Sequence, residues 1–308
     1  MPKTTATLRV EAGRTILARG NGAAVDTMTL PRSPGVQPFL KWTGGKQWLG
    51  AVADAIRPED FSGRYLEPFL GGGSVFFSLG IQRAKLSDAC KELIHAYVGV
   101  RDSPERVIDV LRSYPYDRAF FEEIRRSCPR STHTRAARLI YLNKTAFNGM
   151  YRVNLKGEFN VPFGRFVNPT ICNVVRLRAA STALQGVDLE QGDFQTALRQ
   201  AADGDLVYLD PPYITGHRNN GFVKYNAPLF SWNDQARLAK QALELRDRGV
   251  SVIVSNSDHH EVTSLYRGFY RYVVDRNSLI GGAGSKRGSV REALLTSTPL
   301  QGFLTQRI

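Results

Sequence analysis

Short apolar runs alternate with glycine turns and amphipathic stretches along most of this chain. Gly63-Arg64-Tyr65-Leu66-Glu67 and Ala84-Lys85-Leu86-Ser87 read as strands. Between them, Gly71-Gly72-Gly73-Ser74-Val75-Phe76-Phe77 reads as a glycine turn entering a helix. Strand, turn, helix and strand in that order make a βαβ unit and predict a parallel sheet. The same texture returns near Ile171. Residues 204–209 predict a strand, and Asn233 or Asp234 is placed to cap a helix whose apolar stripe includes Leu238, Ala242 and Leu245. Gly249 ends that helix and residues 250–254 give the next strand. Residues 270–274 and 292–296 predict a closing β pair.

From about residue 97 to about residue 170 the pattern changes. This stretch is rich in arginine and aromatics and poor in β-branched runs, and residues 101–170 hold 13 Lys/Arg against 7 Asp/Glu. Residues 135–142 have helical character. Residues 150–154 and 156–161 predict a hairpin with Lys156-Gly157 at or near its turn. Residues 1–36 have weak periodicity, five Lys/Arg against two acids, and end in Pro31-Arg32-Ser33-Pro34-Gly35. The expected organisation is therefore a flexible basic tail over 1–36, a core domain from 37–96 and 171–308, and an inserted domain over 97–170.

Charge narrows the partners. The formal net charge is +13, and a polyanionic partner suits it because each neutralised phosphate releases counterions. On charge alone, a merely soluble basic protein stays open. Hydrophobic residues make up 42%, enough for a core, and no run reaches the roughly 18 apolar residues of a membrane span. The start lacks an apolar signal core, so a cytoplasmic protein is expected. Cys90, Cys128 and Cys172 are far apart and odd in number, and His259-His260 adjoin alone. Neither a disulfide framework nor a metal is expected.

The tetrapeptide Asp210-Pro211-Pro212-Tyr213 follows the apolar run Leu206-Val207-Tyr208-Leu209. Two prolines carry no N–H, so the segment offers carbonyl acceptors without competing donors. Asp210 and a proline carbonyl can accept both hydrogens of an exocyclic amine, and Tyr213 can stack on the ring bearing it. Taken alone, an ordinary Asp-Pro turn with a packing tyrosine fits as well. Upstream, Glu67-Pro68-Phe69-Leu70-Gly71-Gly72-Gly73-Ser74 lets backbone approach a ligand, and Asp88 stands where a carboxylate meets ribose hydroxyls in doubly wound nucleotide folds. The spacing Gly-x-Gly-x-x-Gly is not met, which points to an adenosine ligand without a pyrophosphate; a glycine turn with an N-capping Asp88 is the bland alternative. In Phe39-Leu40-Lys41-Trp42-Thr43-Gly44-Gly45-Lys46, Trp42 can pack on an adenine or methionine moiety and Lys46 can meet a carboxylate. A tight turn with a core tryptophan is the alternative there.

These three segments, in this order, resemble the DNA adenine-N6 methyltransferases of the D12 class, an alpha-type group typified by the enzyme that methylates GATC. The likeness runs over most of 37–297 and includes Tyr141-Leu142-Asn143-Lys144, Asn148-Gly149, residues 154–165 and Val254-Ser255-Asn256-Ser257-Asp258. The resemblance implies an α/β fold, a Rossmann-like doubly wound methyltransferase sheet with an inserted helical and β-hairpin DNA-recognition domain. It implies S-adenosyl-L-methionine as cofactor and double-stranded DNA as partner, in a nucleoid-associated protein of a prokaryotic or phage-infected cell. Trp42, Lys46, Glu67, Phe69, Gly71, Gly73, Asp88 and Asp210 would bind or adjoin the cofactor. Asp210, Pro211, Pro212 and Tyr213 would be catalytic. Lys41, Lys144, Asn148, Met150, Arg152 and Arg165 would meet DNA, with Met150 filling the stack after an adenine leaves it. Residues 214–230 are long and polar, and the expectation is that they are mobile in the free protein and order over the flipped base.

Two positions depart from the group. Lys144 stands where relatives often carry arginine, and Ala146-Phe147-Asn148 where they often carry Gly-Tyr-Asn. The rival readings are amino methylation of RNA or of a cytosine amine, a non-catalytic DNA-binding protein on a remnant cofactor fold, and a dinucleotide dehydrogenase. Retention of Trp42, Lys46, Asp88, Asp210 and Tyr213 argues against the second, and the glycine loop does not fit the third.

Overall fold

The structure, a computed structural model, describes residues 7–11, 14–19, 26–30, 35–46, 48–49, 53–59, 61–154, 156–213, 230–277, 289–300 and 306–307. The chain divides into two compact units. One comprises Met1–Ser33, Trp48–Phe69 and Gln195–Ile308; the other comprises Pro34–Gln47 and Leu70–Phe194.

In chain order the elements open with β1 (Thr7–Glu11), β2 (Arg14–Arg19), β3 (Asp26–Leu30), α1 (Ala53–Ile56) and β4 (Tyr65–Glu67). The three strands β1, β2 and β3 lie in the stretch 1–36, of which residues 1–6, 12–13, 20–25 and 31–34 are outside the described set. Next come α2 (Ser74–Leu79), β5 (Ala84–Asp88), α3 (Lys91–Asp102), α4 (Pro104–Ser113), α5 (Arg118–Arg126), α6 (Thr132–Thr145) and α7 (Val174–Ala183). The chain then forms β6 (Asp188–Gln191), α8 (Phe194–Leu198), β7 (Leu206–Leu209), α9 (Trp232–Asp247) and β8 (Ser251–Ser257). It closes with α10 (His260–Thr263), β9 (Tyr270–Asn277), β10 (Ser289–Thr296) and β11 (Gln306–Arg307).

In the first unit the strand order is β3-β2-β1-β9-β10-β8-β7-β4. β4, β7 and β8 pair in parallel, in register at Leu66↔Val207 and Leu209↔Val254. Every side chain of β4 and β7 is buried, which is what strands covered on both faces require and why they read as unbroken apolar runs. The expected closing pair is present: β10 is antiparallel to both β8 and β9 and sits between them. That reversed strand separates this sheet from the all-parallel dinucleotide fold. The shared register brings the carboxyl ends of β4, β7 and β8 side by side, the place where open α/β sheets bind ligands.

The helix expected after the Asp-Pro-Pro-Tyr segment is α9, and its cap is neither Asn233 nor Asp234. Ser231 is the N-cap, its Oγ accepting from the Asp234 amide at 3.2 Å while Asp234 Oδ2 accepts from the Ser231 amide at 2.8 Å. Asp234 thus acts at the third helical position of a reciprocal capping box, and Trp232 begins the helix. Leu238, Ala242 and Leu245 are buried as expected. Residues 214–229, the expected lid, lie outside the described residues.

In the second unit β5 and β6 pair in parallel, and α2, α3, α4, α5, α6 and α7 lie in the same unit. The expected hairpin is tighter and less strand-like than the pattern suggested. Its pairing centres on one bridge, Val153↔Phe159, with Asn154 N–H donating to Glu158 O at 2.9 Å and Asn160 N–H to Arg152 O at 3.0 Å. The Asn154 side chain accepts from the amides of Lys156 and Glu158, so one amide group replaces several ladder bonds around the turn. The ends of the segment are pinned by Phe147 N–H on Pro162 O (2.9 Å) and Gly164 N–H on Thr145 O (2.7 Å). Phe121 anchors it through ring contacts with Phe159 and Phe163.

Replacing Ser231 with alanine removes one arm of the capping box, and the expected loss is about 1 kcal/mol, read as a lower urea midpoint at unchanged slope.

Candidate active site

β7 carries Asp210 out at its carboxyl end. Asp210 and Tyr213 are half-buried, Pro211 is buried and Pro212 exposed. Both prolines fix φ, and each restricts the residue before it to extended backbone. The Pro212 carbonyl accepts from Gln235 Nε2 at 3.2 Å. Among the described residues nothing donates to the Pro211 carbonyl. Among the described residues, then, one of the two proline carbonyls is used by the protein.

Two buried phenols share these surroundings. Tyr65 donates to Glu67 Oε2 at 2.9 Å, and the Tyr208 hydroxyl lies 2.8 Å from Ser255 Oγ. Burial, helped by the charges of Glu67 and Asp210, holds both phenols well above the ordinary tyrosine value. They stay neutral at any working pH and act as hydrogen-bond groups among carboxylates. Glu67 is itself buried. Phe69, the next residue but one, meets Phe230 edge to face at 5.6 Å, and Phe230 is the first described residue after the 214–229 stretch.

The second unit holds the other candidate cofactor residues. Gly71 has φ +48°, and a Cβ there would lie 2.8 Å from Trp42 Cδ1, so only glycine lets this loop pass the indole. Asp88 Oδ2 accepts from Gly71 N–H at 3.0 Å and Oδ1 from Cys90 N–H at 2.8 Å. Burial pushes the Asp88 carboxyl up, and the two amide bonds pull against that. Each oxygen keeps a lone pair beyond the amide it accepts, so the carboxylate can still take hydroxyl donors. Gly73 also has a positive φ, and Tyr97 donates to the Gly71 carbonyl at 3.1 Å, which holds the loop. Trp42 stacks one face on Tyr151 at 5.5 Å. Lys46 is buried; its amide donates to Ser74 Oγ at 2.9 Å and its Nζ to Gly44 O at 2.6 Å. Hydroxyl acceptors, a glycine-lined loop and an aromatic wall fit an adenosine-type group.

The candidate DNA residues divide. Lys41 and Lys144 line one cavity of about 270 Å³ together with Phe166, Val167, Asn173 and Arg176. Lys144 is only 8% exposed, and among the described residues its ammonium has no partner. Burial, with Lys41 and Arg176 adding repulsion, lowers its pKa to about 8. Lys41 Nζ stands 4.6 Å from the Phe166 ring centre. The cavity also adjoins the start of α7, where Asn173 caps the Arg176 amide at 3.0 Å. Three cations line this cavity, and no carboxylate is among its lining residues.

Arg152 and Arg165 are elsewhere. Arg152 Nε donates to Asn160 Oδ1 at 2.8 Å, inside the turned segment, and Arg165 is exposed. Asn148 is exposed with φ +54°, an unusual left-handed residue, and Met150 is half-buried. Beside them Gly149 lies so close to Lys41 that a Cβ would meet Lys41 Cδ at 2.7 Å.

Sequence reasoning missed the residues that hold these groups. Asn143 is fully buried; its Oδ1 accepts from Lys41 N–H at 2.8 Å, and its Nδ2 donates to Lys41 O at 2.6 Å and Gly149 O at 2.9 Å. Gln235, Tyr151 and Arg176 were equally silent. A polar residue on the apolar face of α6 or α9 was the available signal.

The α/β fold is that of a Rossmann-like methyltransferase. Residues 42–280 match the family of D12 class N6 adenine-specific DNA methyltransferases. The type II methyltransferase M1.LlaDCHI of Lactococcus lactis subsp. cremoris is 36% identical over 272 residues, covering 85% of this chain and 95% of the relative. M.MjaIII, a type II methyltransferase of Methanocaldococcus jannaschii, is 35% identical, covering 82% and 95%. The DNA adenine methylase of Escherichia coli K12 is 32% identical, covering 85% and 95%. The chain belongs to the D12 class: it is an adenine-specific DNA methyltransferase, and S-adenosylmethionine is the donor that this membership implies. Among the described residues no helix is long and apolar enough to cross a membrane.

A buried, unpaired ammonium opposes folding while it stays charged. Because the folded-state value of Lys144 lies below the ordinary 10.5, its penalty is fully present below about pH 8 and fades as pH rises toward the ordinary lysine range. Lys144→Met should therefore stabilise the protein at pH 7, by on the order of 2 kcal/mol. The gain should shrink toward pH 10, measured by urea unfolding across that range.

Proposed function

We propose that this methyltransferase swings a single adenine out of duplex DNA and methylates its N6 amine at a short specific site, with GATC-like sequences the first candidates. The observation that carries the reading is the acceptor geometry after β7. Asp210 and the Pro211 carbonyl are acceptors with no backbone donor between them, while the Pro212 carbonyl is already taken. An exocyclic amine brings two hydrogens, which matches two acceptors.

The N6 lone pair is delocalised into the adenine ring, so the amine is a poor nucleophile. Hydrogen bonds from N6–H to Asp210 and to the Pro211 carbonyl draw the nitrogen toward tetrahedral geometry and localise the lone pair. Tyr213 stacks on the ring and sets its plane. S-adenosylmethionine, when bound, supplies a methyl carbon already activated by its sulfonium leaving group. The protein's part is orientation and placed dipoles. No covalent enzyme intermediate is needed, and the proton leaves N6 by way of the Asp210 carboxylate. Trp42, Lys46, Gly71, Gly73 and Asp88 hold the donor, Asp88 through the ribose hydroxyls, with Glu67 and Phe69 along the same loop.

Residues 97–170 act as the target-recognition part inserted into the catalytic domain of 37–96 and 171–308, and residues 1–36 as a basic extension. The cavity of Lys41, Lys144 and Arg176 takes one backbone phosphate. Asn148, Met150, Arg152 and Arg165 face the duplex, Met150 filling the gap left in the stack. Lysine at position 144 gives a point charge where an arginine would give a fork. That difference changes how the phosphate is held, and Phe147 in place of a tyrosine removes a hydroxyl next to Asn148.

Asp210→Ala should abolish methyl transfer while leaving donor binding by calorimetry near that of the wild type; near-normal turnover would overturn the assignment. Sequencing that detects N6-methyladenine in DNA from expressing cells gives base and site together. The phosphate assignment has its own check. Duplex affinity at fixed salt should weaken as pH rises through about 8, where Lys144 loses its proton, and Lys144→Arg should flatten that dependence.

A further inference from the structure

Behind the Asp-Pro-Pro-Tyr segment runs a line of buried amides. Gln235 and Asn256 are both fully buried. Gln235 sits in the first turn of α9 and donates through Nε2 to the Pro212 carbonyl at 3.2 Å, while its Oε1 accepts from Asn256 Nδ2 at 3.1 Å. Asn256, in β8, accepts through Oδ1 from the Ser257 amide at 2.8 Å. The direction of the line is forced at both ends, because a carbonyl only accepts and a backbone N–H only donates. Turning either side-chain amide over would set oxygen against oxygen or N–H against N–H in a buried place.

The target of this line matters. Proline rings fix φ at 211 and 212, and the rule for residues preceding proline confines Asp210 and Pro211 to extended backbone. The torsion left open is ψ of Pro212, which orients its carbonyl and the peptide leading to Tyr213. Gln235 sets it. We infer that Gln235, oriented by Asn256, is a positioning residue that locks the Pro212 peptide and with it the Tyr213 ring, so that the ring meets the adenine whose amine Asp210 and the Pro211 carbonyl receive. This rests on the roles proposed above for Tyr213 and Asp210. Neither amide touches the substrate in this scheme.

The test uses the full-length enzyme. In Gln235→Glu an ionised carboxylate faces the Pro212 carbonyl with no proton to give, whereas the protonated acid can donate as the amide did. At pH 8, turnover under saturating donor and DNA should fall roughly 10- to 100-fold, with donor affinity unchanged. Activity relative to wild type should recover as pH is lowered. Asn256→Asp, one step further from the loop, should lower turnover less. Wild-type turnover and an unshifted pH profile in Gln235→Glu would overturn the inference, as would a loss that is the same at every pH. Should Gln235→Glu not fold, Gln235→Met removes the donor without adding charge. Reduced turnover with intact donor binding then supports positioning, and unchanged turnover defeats it. Asp210→Ala run alongside separates the two claims. If it is inactive while Gln235→Glu behaves as wild type, the amine-binding role stands and only the relay fails. If it stays active, the amine-binding role itself is lost.

Discussion

Two consecutive prolines at the end of a buried strand impose the constraint on which the first unit's chemistry depends. They remove two N–H groups from a place where parallel strands end, and leave carbonyls beside a carboxylate there. A segment whose two prolines offer carbonyls and no N–H suits a donor-rich ligand, and an exocyclic amine is one. The price of such a segment is that its own carbonyls need satisfying, and the protein meets that for Pro212 with a buried glutamine. The sheet contributes through register. Because Leu66 pairs with Val207 and Leu209 with Val254, Asp210 comes level with Ser255, and Glu67 with Tyr208. Tyr65 and Tyr208, held neutral by burial, give those carboxylates hydrogen-bonding surroundings that add no charge.

The second unit shows the opposite electrostatic choice. Lys144 is buried beside Lys41 and Arg176, and the lowered pKa of its ammonium records the cost. A protein selected for stability alone would pair or remove that charge. Retaining it makes sense where a phosphate completes the site, since the anion relieves repulsion that the free protein carries. The same logic explains the local backbone. Asn148 and Gly149 both adopt positive φ, and Asn143 clamps Lys41 and Gly149 through three hydrogen bonds, so a strained turn is held next to the cationic cavity.

Much of the fold was legible in the sequence because central strands and amphipathic helices write their periods directly. Residues 63–67, 84–87, 204–209 and 250–254 became strands at or within a few residues of their expected bounds, and the stripe of Leu238, Ala242 and Leu245 faces inward. The helix start was misread because Asp234 caps well in isolation; only in the folded chain does Ser231 take the cap and Asp234 reciprocate. The segment after Met150 was read as a hairpin of two strands, yet side-chain bonds from Asn154 do much of what a ladder would do. Such short-range choices between side chain and backbone leave no periodic trace.

By itself the sequence determined the chemistry on offer: the acceptor segment at 210–213, the glycine loop before Asp88, the basic excess of residues 101–170, and through them the family. Those features depend on residue type and short spacing, which a linear chain carries in full. What only the tertiary structure decided was partnership. Asn143 with Lys41 and Gln235 with Pro212 are separated by 102 and 23 positions respectively. A buried polar group's role is set by whichever donor or acceptor folding brings within hydrogen-bonding reach, and that distance is a property of packing rather than of order along the chain.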